Sequence, residues 1–480
     1  MKKLQAIFIT MSERIPTMPN KTIRTRFAPS PTGFMHLGNL RTALYAWLYA
    51  RANKGKFILR IEDTDQSRLV EGAVDVIYAT MRQCGLDWDE GPDIGGDYAP
   101  YIQSERKDSY MQYALQLVES GHAYYCYCEA GSEEDCACRN RQDGISKVIR
   151  QKTPTEGSTT FRDEIYGDIT VQNSEIEDQI LIKSDGMPTY NFANVIDDHS
   201  MNITHIIRGN EYLSSTPKYN LLYDAFGWDI PTYIHVPPIM RNATQKLSKR
   251  DGDAYFEDFK DRGYLTPAII NYIALLGWSP RGDIAEQEIF SLDELVAAFD
   301  ADGISKSPAI FDIEKMRAIN AEHIRRLSLD MFKTHALPYV MYYLNDNDIW
   351  VDYDTLCKAL QPRCEVLTDI KSQIDFIPAP LPYEPALYAN KKMKTSVETA
   401  KDALTAALDI VSSCDFNKDT LYAAFKELAD RTERKPGFYL YPLQVALTGK
   451  PSVPGGGLDI CIVLGREVSV ARINAAIAAL

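Results

Sequence analysis

The sequence predicts an α/β protein: a doubly wound, parallel, Rossmann-like sheet with an inserted α+β module, followed by an all-α C-terminal half. Three observations lead there. Thr22 to Ala28 alternates apolar and polar side chains as a strand does; Pro29, Pro31 and Gly33 break the run, and Leu40, Leu44, Trp47 and Leu48 then recur at helical spacing. The short apolar run Phe57-Ile58-Leu59 reads as a buried strand, and Ile203 to Arg208 is a second strand candidate. From about residue 326 the periodicity is mainly helical, as over Thr399 to Val411.

Taken in order, residues 1–20 form an N-terminal extension that carries Lys2, Lys3, Glu13 and Arg14; Met11 and Met18 are alternative starts. It is short and poor in Arg and Ser for a transit peptide. Residues 21–108 and 193–240 supply the doubly wound sheet, with Arg208 at the end of a strand. Residues 109–192 are the inserted module, with strand-like Asp168 to Val171 and Gln179 to Ile182. Residues 241–325 open on a polar, aperiodic loop and continue into helices such as Ala268 to Leu276. Residues 326–480 are helical, with Pro378 to Pro385 read as a hinge between two subdomains and Pro451 to Gly457 as a flexible connection. No fixed-period repeat is present.

At 480 residues and 45% hydrophobic content, the chain can form several domains with substantial cores. No run of about eighteen apolar residues suggests a membrane span. The net charge of −14 disfavours indiscriminate nucleic-acid binding, but local patches decide contact with phosphates. Three such patches exist: Arg139 to Lys152, then Lys391, Lys392 and Lys394, then Arg431, Arg434 and Lys435.

The loop after the first strand carries His36, Gly38 and Asn39 at a helix start. There the unpaired backbone N–H groups and the positive dipole end attract phosphate. Gly38 lets a nucleotide approach the backbone, and His36 can donate to a phosphate oxygen. No GxxxxGK[ST] motif is present. About two hundred residues later, Lys246-Leu247-Ser248-Lys249-Arg250 supplies compact cations suited to a pyrophosphate leaving group. Two separated phosphate-binding loops imply a site that activates a carboxylate with ATP rather than one that transfers the γ-phosphate.

Ala28-Pro29-Ser30-Pro31-Thr32-Gly33, followed by His36-Leu37-Gly38-Asn39 and later by Lys246 to Arg250, resembles the bacterial-type glutamyl-tRNA synthetases, which are class I aminoacyl-tRNA synthetases. The likeness continues through Arg60-Ile61-Glu62-Asp63-Thr64-Asp65 and through Asp185 to His199, and covers roughly residues 22 to 480. It implies ATP-dependent formation of glutamyl-adenylate and transfer to the 3′-terminal ribose of tRNA. It makes His36, Gly38, Asn39, Lys246 and Lys249 catalytic, with Glu211, Tyr212 and Ser248 also near ATP. It places Arg26, Ala28, Ser30, Glu62, Tyr190, Asn194 and Arg208 around glutamate. It assigns the inserted module to the tRNA acceptor end, residues 241–325 to the stem and the helical half to the anticodon. Leu443 to Gly449 resembles a late family motif in which arginine is common at position 444.

The residue chemistry fits that substrate. The planar fork of Arg26 or Arg208 suits a γ-carboxylate, Glu62 suits the α-ammonium, and Tyr190 and Asn194 add hydrogen bonds. The substrate carboxylate is itself the nucleophile, so positioning and charge stabilisation suffice. Mg²⁺ is expected on the ATP phosphates.

Nine cysteines, an odd number, fit a reducing cytosol. Cys126 and Cys128 pair with Cys136 and Cys138 as two CxC units. They could hold a structural zinc or remain four thiols without metal; both readings stay open, with His122 a further candidate ligand. The expectation is a cytoplasmic monomer that charges glutamate-accepting tRNA; whether glutamine-accepting tRNA is also charged stays open. A glutaminyl-type relative, a truncated paralogue that modifies a tRNA base, a metabolite nucleotidyltransferase and an inactive RNA-binding protein are the competing readings.

Overall fold

The protein is described from a computed structural model over residues 22–128, 137–140, 148–247, 255–344, 349–382 and 384–480. Strand β1 (Arg24–Phe27) passes through the proline loop into α1 (Leu37–Ala52). β2 (Lys56–Leu59) returns parallel to β1, with Arg26 opposite Ile58. α1 buries Leu40, Leu44, Trp47 and Leu48, the positions its spacing marked.

Next come α2 (Ala73–Gln83), α3 (Lys107–Glu119), β3 (Ala123–Cys126), β4 (Val148–Gln151), β5 (Ser158–Asp163), β6 (Gly167–Gln172) and β7 (Ile180–Ile182). They are followed by α4 (Tyr190–Ser200), β8 (His205–Gly209), α5 (Thr216–Phe226) and β9 (Thr232–Val236). β8 and β9 are parallel, β5 joins β9 in parallel, and β6 closes the edge antiparallel to β5. β8 lies beside β1: Thr204 N–H donates to the Arg24 carbonyl at 2.9 Å, and Arg26 Nη1 reaches the Ile207 carbonyl at 3.3 Å. The chain thus winds from β1 to β2 on one side and from β8 to β9 on the other. In open α/β sheets such a reversal opens a crevice at the carboxyl ends of the strands.

Residues 109–192 do not behave as one separate module. β3, β4 and β7 form their own antiparallel sheet, but the β5–β6 hairpin extends the main sheet. The cause is local: β5 alternates exposed and buried residues, and its Phe161 packs edge-on to Tyr233 of β9.

β10 (Ile239–Met240) pairs in parallel with β11 (Ala309–Ile310) around α6 (Phe256–Asp261), α7 (Thr266–Leu275) and α8 (Leu292–Ala298). The rest is helical: α9 (Ile313–Arg326), α10 (Leu329–Leu344), α11 (Tyr353–Leu360), α12 (Asp369–Gln373), α13 (Val397–Ser413), α14 (Lys418–Arg431), α15 (Gly437–Thr448) and α16 (Gly456–Ala479). The expected hinge at Pro378 to Pro385 is pinned instead. Arg472 on α16 donates to the carbonyls of Phe376, Ile377 and Leu447 at 2.9, 2.7 and 2.6 Å. Leu360, Leu404 and Ile460, on both sides of the break, share one core. The expected flexible connection is packed as well: Val453 is buried and its carbonyl accepts from Arg363 at 2.9 Å. No helix among the described residues is long and apolar enough to cross a membrane.

Candidate active site

The carboxyl ends of β1, β2 and β8 open onto a cleft of about 290 Å³. Arg26, Ala28, Ser30, Asn39, Glu62, Tyr190, Arg208, Glu211 and Tyr212 line it, so most of the predicted residues meet there. Asn194 sits behind the wall, buried, with Nδ2 donating to the Tyr190 carbonyl at 2.9 Å. It supports Tyr190 rather than lining the cleft.

The first loop ends as an N-cap. His36 Nδ1 accepts from Gly38 N–H at 3.0 Å, which puts the proton of the neutral ring on Nε2. The loop also touches the start of α6. His36 bridges Tyr255, and Phe256 N–H donates to the Met35 carbonyl at 3.1 Å. From inside α1, Arg41 donates to the carbonyls of Pro237 and Leu276. Lys246 is exposed and forms an antiparallel bridge to Met240, on the far side of the bend at 241–244. Ser248 and Lys249 lie outside the described residues, as does Cys136.

Sequence offered Arg26 and Arg208 on equal terms; the structure separates them. Arg26 Nε lies 3.1 Å from Asp198 Oδ1, so its charge is matched within the protein. Arg208 Nε donates to His235 Nε2 and Nη2 to Thr216 Oγ1, each at 3.0 Å, with the guanidinium 4.7 Å from the Tyr219 ring centre. Its Nη1 is buried with no hydrogen-bond partner. An orphaned charged donor of this kind is costly until an acceptor arrives.

Glu62 is the complement. Oε1 accepts from Arg60 Nη2 at 3.0 Å, while Oε2 is buried without a partner. Burial pushes its carboxyl up to about 7, against the pull of Arg60. Behind it lies a charge network that motif reading left without roles. Arg60 bridges Glu62 and Asp198, and Asp197 accepts from Arg106, Gln103 and Tyr110. The signal was present: Arg60 and Glu62 are two apart at a strand end and so share a face, and Asp197-Asp198 closes an apolar run. Thr42 and Arg68 also line the cleft without having been singled out.

Apart from the cleft, the sulfurs of Cys126, Cys128 and Cys138 gather within 4.8 Å of one another. Cys128 and Cys138 are 3.9 Å apart, near the separation of about 3.8 Å that tetrahedral geometry and Zn–S bonds of about 2.3 Å require.

Comparison with known proteins agrees with this geometry. The family profile for the catalytic domain of class I tRNA synthetases (E and Q) matches residues 22–136 and 130–318, and that for an anticodon binding domain matches 331–477. A glutamate–tRNA ligase of Clostridium botulinum is 52% identical over 484 residues, covering 95% of this chain and 99% of that protein. One from Clostridium tetani is 50% identical, covering 95% and 98%. The crystal structure of a glutamate tRNA ligase from Elizabethkingia meningosepticum in complex with its amino acid superposes with a TM-score of 0.85 at 34% identity, covering 96% of this chain and all of that one. A carboxylate-hungry cleft at the switch point and full-length kinship together place the chain in the glutamate–tRNA ligase family of class I aminoacyl-tRNA synthetases, the enzymes that join glutamate to tRNA.

Proposed function

We propose that this cleft holds L-glutamate between Arg208 and Glu62 while ATP lies across the α1 N-terminus. The observation that carries the reading is a pair of opposite vacancies in one cavity, Arg208 Nη1 without an acceptor and Glu62 Oε2 without a donor. An amino acid with a side-chain carboxylate and an α-ammonium fills both. Arg26, already matched by Asp198, then contributes field and shape, with Ala28, Ser30 and Tyr190.

In this arrangement the α-carboxylate attacks the α-phosphorus of ATP and pyrophosphate leaves. His36 Nε2–H, the Asn39 amide at the start of α1, where Gly38 lets the phosphate come close, and Lys246 with Lys249 stabilise the phosphate charge. Mg²⁺ entering with ATP would screen the triphosphate. The 3′-terminal ribose of tRNA then takes the glutamyl group, and AMP departs. The inserted strands meet the acceptor end, and residues 241–325 the stem. The thiols of Cys126, Cys128 and Cys138 fit a structural zinc that would tie β3 to the segment around Cys138, with Cys136 the fourth ligand the sequence offers. The protein acts as a cytoplasmic monomer.

Radioactive glutamate charging of purified glutamate-accepting and glutamine-accepting tRNA tests the assignment: the first becomes labelled, and the second reports the breadth of acceptance. Lys246→Ala slows adenylate formation much more than it weakens tRNA binding. Collapse of RNA affinity with activation intact would remove Lys246 from its role.

A further inference from the structure

We infer that Asp163 and His235 are positioning residues for glutamate selection: they fix the ring tautomer that aims Arg208 at the substrate. The inference rests on the reading that Arg208 takes the side-chain carboxylate. His235 and Asp163 are both buried, on the adjoining strands β9 and β5. Asp163 Oδ2 lies 2.7 Å from His235 Nδ1 and also accepts His235 N–H at 3.1 Å. Asp163 Oδ1 accepts the Ile165 and Tyr166 N–H groups, both at 2.9 Å, so the carboxylate cannot rotate away. On its other side the ring meets Arg208 Nε at 3.0 Å and Thr216 Oγ1 at 3.4 Å.

Arg208 Nε can only donate, so His235 Nε2 must accept. The Thr216 hydroxyl gives its proton to the Tyr212 carbonyl at 2.9 Å and leaves that lone pair to arginine. The proton of the ring therefore sits on Nδ1, held by Asp163. Burial lowers the imidazole to about 4, so the ring stays neutral where the enzyme works. With Nε on His235 and Nη2 on Thr216, two edges of the guanidinium are fixed, and Nη1 is the donor left to the cleft. A ring protonated on Nε2 would confront Arg208 with a second donor and swing the fork out of register. No motif marks this pair; His235 stands out only as a polar residue inside the apolar strand Tyr233-Ile234-His235-Val236.

Asp163→Asn keeps the volume and turns an amide N–H toward Nδ1, which forces the wrong tautomer. In tRNA-supported ATP–pyrophosphate exchange with the full-length enzyme, D163N raises the KM for glutamate by about tenfold or more. It narrows the preference for glutamate over glutamine and leaves the KM for ATP unchanged. His235→Gln supplies a side-chain oxygen near the Nε2 position and has no ring tautomer to choose, so H235Q stays near the parent. The penalty of D163N largely disappears in the H235Q background. His235→Asn keeps the contact to Asp163 but loses the acceptor for Arg208, so H235N resembles D163N. Equal KM values for H235N and H235Q, or a D163N penalty undiminished in H235Q, overturn the inference. Arg208→Lys tests the reading beneath it: an unchanged glutamate KM in R208K removes both, whereas a raised one with an inert D163N removes the positioning role alone.

Discussion

Glu62 is a carboxylate whose charge depends on what occupies the cleft. With its group held up to about 7 by burial, an appreciable fraction is protonated near neutrality. On the proposed placement of the substrate, its ammonium favours the charged form, so glutamate binding should release a proton below pH 7. The KM for glutamate should therefore rise by up to about tenfold per pH unit below 7 and level off above it, one proton being linked. Glu62→Gln should weaken binding and flatten that profile; a parent profile flat from pH 6 to 8 would remove the role. Glu90 is the opposite case. Burial would raise its carboxyl, but Arg24, with contacts at 2.7 and 2.9 Å, and Tyr101 hold it at about 2. A depressed carboxyl stabilises the fold above its unfolded value near 4.5 and loses that contribution as pH falls toward 2. Glu90→Gln strands the buried Arg24 and should cost about 3–5 kcal/mol by denaturant titration, with a shallower acid limb. Sequence named the residues that touch the cleft because motif chemistry is local. It could not rank Arg26 against Arg208, because the deciding partner, Asp198, is 172 residues from Arg26.

At the scale of elements, α1 works as a tether beside its proposed role as a phosphate cap. Its buried Arg41 ties the first loop to Pro237 and Leu276, which flank the second. Arg41→Met keeps the packing of the stem but leaves the Pro237 carbonyl without its donor, while Leu276 keeps only Tyr45. Single-turnover adenylate formation should slow by about tenfold while the glutamate KM holds; a change confined to that KM would refute the tether. The C-terminus of α15 gives a second test. Gly449 has φ +72°, and a Cβ there would run into the backbone of Leu381. Gly449→Ala should lower the Tm, by about 2–4 °C for each kcal/mol lost; an unchanged Tm would show that the Leu381 segment moves aside. The strand–loop–helix unit and the long helices were legible because their periodicities are strong. The β5–β6 hairpin was misplaced because alternation says which face is buried, not against which strand. The proline break was read as a hinge because Arg472, which pins it, lies 95 residues from Ile377. Gln444, where the family motif commonly has arginine, is buried between α15 and the turn before α16, donating to the Lys450 carbonyl at 3.2 Å.

Over the whole molecule, a chain of net charge −14 must hold a polyanion, and the fold shows one way to do so. Two basic runs about forty residues apart in sequence come together in space. Met393, between Lys392 and Lys394, lies against Gly437 so closely that a methyl group there would collide, which brings the 391–394 turn beside the Arg431 to Lys435 turn. Lys391, Lys392, Lys394, Arg431, Arg434 and Lys435 are all exposed. Arg434 lies 4.6 Å from the Phe438 ring centre, which leaves the edge of its guanidinium for outside acceptors. We propose that this convergence meets the tRNA, with the acidic remainder of the surface repelling RNA elsewhere. Replacing Lys391, Lys392 and Arg434 together by alanine should raise the KM for tRNA and leave the KM values for glutamate and ATP alone. Each RNA phosphate that is no longer neutralised should lower the slope of log KM against log salt by about 0.7–0.9, so the triple variant should show a slope smaller by about 2.1–2.7. A raised KM with an unchanged slope would mean that the variant disturbed the helical core rather than an RNA-binding surface. An unchanged KM at low salt would place the RNA on another face of this half.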